Sequence, residues 1–100
     1  MAKMPKTEDP KDRLADLRRS IDGVDGALVA LLARRFAFVQ QVVEVKRALG
    51  LPAAIPSRVE DVVTRVRAEA EAQGFLPDTT EKLWRQLIAD MIDYEEAQLK

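Results

Sequence analysis

Residues 13–49 read RLADLRRSIDGVDGALVALLARRFAFVQQVVEVKRAL, and the spacing of their apolar side chains decides the fold. Leu14, Ile21, Leu28, Val42 and Leu49 keep a heptad spacing, with Arg35 in the same series. Leu17, Val24, Leu31, Phe38 and Val45 form a second series without a break. Two interleaved series of this kind make the apolar seam of one long, coiled-coil-like helix. Gly23 and Gly26 weaken it locally, but the seam continues on both sides; Gly50, Pro52 and Pro56 end it. A helix of about 37 residues, at roughly 1.5 Å each, is on the order of 55 Å long. A compact chain of this size has a radius of gyration of about 13 Å. The helix must therefore overhang its own protomer, and a second chain is expected to cover the seam in an intertwined homodimer.

Working outward, Met1 to about Asp12 is polar, mixed in charge and without periodicity, and reads as a flexible tail. The folded domain is expected over residues 13–100. Beyond the linker Gly50–Pro56, Ser57 with Glu60 has capping-box spacing and opens a second helix. Val59, Val62, Val63 and Val66 give that helix an apolar face, and Gly74 is its natural stop. Asp78 with Glu81 repeats the capping-box spacing after Pro77. The third stripe then runs Trp84, Leu87, Ile88, Met91, Ile92, Glu95 and Leu99. Strand-like alternation and internal repeats are lacking, so the fold class is all-α with three helices, the first one long.

Composition narrows the chemistry. The chain of 100 residues has no His and no Cys, so disulfides, thiol nucleophiles and imidazole catalysis are excluded. Charged residues make up 33 % of it, yet the formal net charge is -1, which supplies no broad field for nucleic acid or an anionic membrane. The N-terminal residues have no apolar core like that of a signal peptide, and no uninterrupted apolar run approaches membrane-spanning length. A cytoplasmic protein with no membrane partner is the expectation.

The informative residues are polar ones standing where apolar ones belong. Arg35 occupies a seam position between Leu28 and Val42. A guanidinium there needs an anionic partner, unless its stem packs and its head reaches solvent. Lys46 lies eleven residues further on, three turns along nearly the same face, although a Lys near a helix C-terminus also suits the dipole. Arg18 sits about a quarter turn off that line and converges with it only across a dimer axis. Arg58 stands in the first turn of the second helix, where a cation opposes the dipole. Glu95 extends the third stripe; desolvation there favours the neutral acid, while a frayed helix end would leave it in water.

Together these residues match a known pattern. Leu17-Arg18-Arg19-Ser20-Ile21-Asp22-Gly23-Val24-Asp25, then Leu31-Leu32-Ala33-Arg34-Arg35, then Val45-Lys46, resembles the all-helical chorismate mutases. Pro56-Ser57-Arg58 and the stretch from Leu83 to Glu95 continue the likeness, which covers about residues 13 to 99. Ala53-Ala54-Ile55-Pro56 also looks like the isochorismate pyruvate-lyase branch of the family. The resemblance implies a domain-swapped helical dimer with two equivalent sites, no cofactor and no metal. Arg18 would reach into the partner's site to bind a substrate carboxylate, and Arg35 would hold another. Lys46 would contact the ether oxygen, Arg58 would line the pocket, and Glu95 would act there in protonated form.

Such residues suffice because the rearrangement of chorismate to prephenate is pericyclic. It needs the compact conformer held and charge on the breaking ether oxygen stabilised, which cations do without a nucleophile. This chain departs from the family pattern at Val59, where many mutases carry a Glu that recognises the ring hydroxyl. It departs again at Glu95, where many bacterial members have Gln, and at Met91, where a small hydroxyl residue is common. The expected substrate is a small dicarboxylate. The leading expectation is chorismate mutase; isochorismate pyruvate-lyase and a mutase of the 4-amino analogue of chorismate are alternatives. A non-enzymatic helical dimer is the reading from another class, and Arg35 in the seam argues against it.

Overall fold

The computed structural model describes residues 9–100. Residues 1–8 of the expected tail lie outside the described residues. Three helices follow in order: α1 Pro10–Leu49, α2 Pro56–Ala72 and α3 Pro77–Leu99. No strand occurs among the described residues.

α1 starts at Pro10, ahead of the expected Arg13, for a local reason. The Asp9 carboxylate accepts a hydrogen bond from the Lys11 N–H at 2.9 Å. Pro10, which has no N–H to satisfy, takes the first helical position. At the other end the Leu51 N–H donates to the Lys46 carbonyl at 2.9 Å and the Gly50 N–H to that of Arg47 at 3.4 Å. Gly50 has a φ of 69°, a left-handed conformation that costs glycine nothing and closes this pair of bonds. Gly74, with a φ of 72°, ends α2 in the same way.

The two expected capping boxes do not form. Ile55 and Leu76 precede the helices with no side-chain cap, and Pro56 and Pro77 take the opening positions. Ser57 and Asp78 therefore lie inside the first turns rather than before them. Their Glu partners serve elsewhere: Glu60 accepts two hydrogen bonds from Arg85, at 2.9 and 3.0 Å. Glu81 holds Arg85 at 2.7 Å and Arg67 at 2.9 Å. The Glu60–Arg85 and Arg67–Glu81 pairs tie α2 to α3, and the Arg85 hydrogen bonds hold the carboxyls of Glu60 and Glu81 below their ordinary range.

The chain divides into two compact units, residues 1–37 and 38–100. In the second unit Val43, Ala53, Val63, Ala70 and Ile88 form the buried apolar set. Side chains of α1 reach α3 there: Gln40 Nε2 lies 3.5 Å from Tyr94 Oη, and Arg47 donates to the Gln98 carbonyl at 2.8 Å. The first unit is a different case. Leu14, Leu17, Ile21, Val24, Leu28 and Leu31, the leading half of both heptad series, are all exposed.

One property of α1 bears on the membrane expectation. By length and composition α1 is apolar enough to cross a membrane. The sequence between Asp25 and Glu44 carries only Arg34 and Arg35 as ionised residues. That pair interrupts the apolar run but leaves the helix apolar on the whole.

Candidate active site

The site is built from one residue near the end of α1, one in the linker and one in the last turns of α3. Lys46 Nζ donates to Glu95 Oε1 at 2.8 Å and to the Ala53 carbonyl at 2.8 Å. The Lys46 and Glu95 side chains are only 13 % and 9 % exposed, so both charged ends are largely out of water. Forty-nine residues separate them in sequence. A pair drawn this far from solvent is weak evidence for stability, because the loss of hydration offsets much of the attraction. Its placement needs another reason, and a charged donor and a carboxyl held in low dielectric are tools for acting on an anion.

The stripe of α3 explains how Glu95 comes to be there. α3 remains helical to Leu99, so Glu95 keeps the register of Ile88, another buried residue. The frayed-end reading of Glu95 is therefore set aside. Lys46 is positioned by the cap of α1, since its own carbonyl accepts the Leu51 N–H that turns the chain into the linker. Ala53, almost wholly buried, then brings its carbonyl back to the Lys46 ammonium.

The other three expected residues are placed differently. Arg58 is 65 % exposed on its side chain and donates to Asp61 Oδ2 at 2.8 Å, one turn along α2. Asp61 also accepts from Arg65. That Arg65 hydrogen bond is the main reason its carboxyl sits below the ordinary range, against partial desolvation, with Arg58 adding to it. Arg35 is half-buried and Arg18 exposed, and both belong to the first unit. Lys46 and Glu95 are thus brought together directly, while Arg58 is turned to its own helix. Sequence reasoning missed the Ala53 carbonyl, because a backbone acceptor has no residue signature. It also missed Asp61 as the Arg58 partner, although the i, i+3 spacing carries that signal. An open groove runs over the linker, between Gly50–Ala53 and the α3 residues Glu96 and Leu99.

Comparison with known families matches residues 17–96 to chorismate mutase type II, a span that includes Arg18, Arg35, Lys46, Arg58 and Glu95. The chain belongs to this family. Within it, the chain is 43 % identical over 77 residues to a T-protein of Enterobacter agglomerans, covering 77 % of this chain and 21 % of that one. It is 37 % identical over 79 residues to a T-protein of Haemophilus influenzae, covering 79 % of this chain and again 21 % of the relative. A chorismate mutase of Methanocaldococcus jannaschii is 34 % identical over 56 residues, which are 56 % of this chain and 57 % of that one. The chain thus spans about a fifth of the length of the T-proteins it matches. The all-helical architecture with its long first helix is consistent with the chorismate mutase type II fold.

Proposed function

We propose that the protein is a chorismate mutase, converting chorismate to prephenate as a homodimer. The observation that carries the reading is the Lys46–Glu95 pair, 2.8 Å apart and withdrawn from water, in a chain of this family. In the reaction the ether C–O bond breaks while a C–C bond forms, with no atom gained or lost. Negative charge grows on the ether oxygen, and the Lys46 ammonium answers it where low dielectric strengthens the attraction. Arg35 and Arg18 hold the two substrate carboxylates by two-pronged contacts, and Arg58 lines the pocket. Arg58 would leave Asp61 to do so, which is a small loss for an exposed pair.

Glu95 acts through Lys46: its Oε1 accepts the Lys46 N–H at 2.8 Å and holds the ammonium toward the substrate oxygen. The order of events needs neither nucleophile nor cofactor: bind the dicarboxylate, hold the compact conformer, stabilise the oxygen, release.

The dimer explains two features. The exposed apolar row of the first unit gains about 1.5–3 kcal/mol for each large side chain fully buried against a second chain. Arg18 then serves the partner's site. A bilayer is the poorer cover for α1, since each Arg at a membrane centre costs about 2.5–3.5 kcal/mol on insertion scales. A cytoplasmic location follows from this reading.

Val59 supports one second reading. It is half-buried and apolar where a carboxylate is common in mutases, so recognition of the ring substituent differs. An isochorismate pyruvate-lyase, or a mutase of the 4-amino analogue, would suit it. The test is to incubate the purified chain separately with chorismate, the amino analogue and isochorismate, and to assay rearranged product and pyruvate. Prephenate from chorismate is expected. Pyruvate from isochorismate with no prephenate from chorismate would replace the mutase by the lyase.

A further inference from the structure

The backbone of the linker is built to aim Lys46. An ammonium has three N–H donors set tetrahedrally. Two of them are directed here by acceptors on different elements, Glu95 Oε1 on α3 and the Ala53 carbonyl in the linker, each at 2.8 Å. Fixing two donors of a tetrahedral group fixes the third. The linker in turn is fixed at both ends. The Leu51 N–H is bound to the Lys46 carbonyl at 2.9 Å, while the Ile55 carbonyl accepts the N–H groups of Arg58 and Val59 at 3.0 and 3.1 Å. Pro52 and Pro56 restrict the backbone between these points. Ala53 is 7 % exposed, so its side chain packs inward and holds the carbonyl where it is.

We infer that the Ala53 carbonyl is a positioning group for Lys46, leaving the third N–H of the ammonium aimed at the oxygen of the substrate that carries the developing charge. This rests on the reaction proposed above and adds a residue to its machinery. Ala53 does not touch substrate; it acts through Lys46. It also makes the linker, rather than α1 alone, responsible for where the donor points.

The experiment replaces the peptide bond between Ala53 and Ala54 by an ester, by semisynthesis of the full chain. An ester carbonyl is a poorer acceptor than an amide carbonyl, while the side chains are unchanged. The expected result is a kcat about tenfold lower, with KM changed by less than about twofold. In a Lys46→Gln background the ester is expected to change kcat no further. A fall of equal size in both backgrounds, or no fall with Lys46 intact, overturns the inference. Nitrogen-15 resonance of the Lys46 ammonium supplies a readout independent of turnover, and the ester is expected to move it. If it stays in place, the carbonyl does not hold the ammonium. A protein that turns over no chorismate even with its native peptide bond contradicts the proposed reaction, and the resonance still decides the positioning. Should the ester chain fail to fold, Ala53→Gly loosens the linker but keeps the amide. It must then lower kcat and move the same resonance, and failing both counts against the inference.

Discussion

Lys46 and Glu95 carry the account at the scale of single residues, and each has a distinct expected phenotype. Glu95→Gln keeps an oxygen for the Lys46 N–H, whereas Glu95→Ala leaves the ammonium held by the Ala53 carbonyl. Glu95→Ala should lower kcat more than Glu95→Gln does, and equal rates in the two variants would remove this residue from the mechanism. Arg35→Ala should lower kcat/KM by about a hundredfold or more, the cost of losing a charge-assisted contact, without dissociating the dimer. Steady-state rates with a sedimentation check decide it, and retained catalysis would mean the pocket is wrongly assigned. What the sequence makes visible here is a polar residue that breaks an apolar register. Arg35 in the seam and Glu95 in the third stripe were both visible in that way. The Ala53 carbonyl was not, since its acceptor belongs to every residue alike.

Elements are held by caps and by the charge network between α2 and α3. Gly50→Ala forces a Cβ into a left-handed conformation at φ 69°, which should cost about 1–2 kcal/mol. Thermal unfolding of that variant measures it; an unchanged midpoint would show that the cap relaxes freely. Glu60 and Glu81 have carboxyls lowered from 4.5 by Arg85. A group lowered on folding binds fewer protons when folded, so its contribution is full above 4.5 and fades as pH falls below it. Arg85→Gln should therefore reduce stability near neutral pH and make the acid limb of the melting curve shallower. Glu60 is exposed and Glu81 half-buried, and added salt should diminish the difference, more so for the Glu60 pair. The helices themselves were legible from heptads, valine spacing and Gly stops. Their starts were not, because Ser57-x-x-Glu60 and Asp78-x-x-Glu81 have the right spacing but lie after a Pro that has already opened the helix. A spacing rule does not register competition from an Arg on another element, Arg85 for Glu60 and Arg67 for Glu81.

The whole molecule is proposed to be a dimer because residues 10–37 expose the apolar seam. Leu28→Glu puts a charge into that seam and should shift the sedimenting species from dimer to monomer, with melting that no longer depends on protein concentration. A Leu28→Glu protein that still sediments as the unmodified one does would place the interface elsewhere. At this scale the sequence announced the long helix and its uncovered face. The proposed cover is a second copy of the chain, and no pattern within one chain encodes its position. The most direct measurement of the central claim is the rate of prephenate formation from chorismate by the purified protein and by Lys46→Gln. The account predicts steady turnover that falls by about a hundredfold or more in the variant, the loss of a charged donor at the developing oxyanion. Turnover equal in both proteins would contradict it.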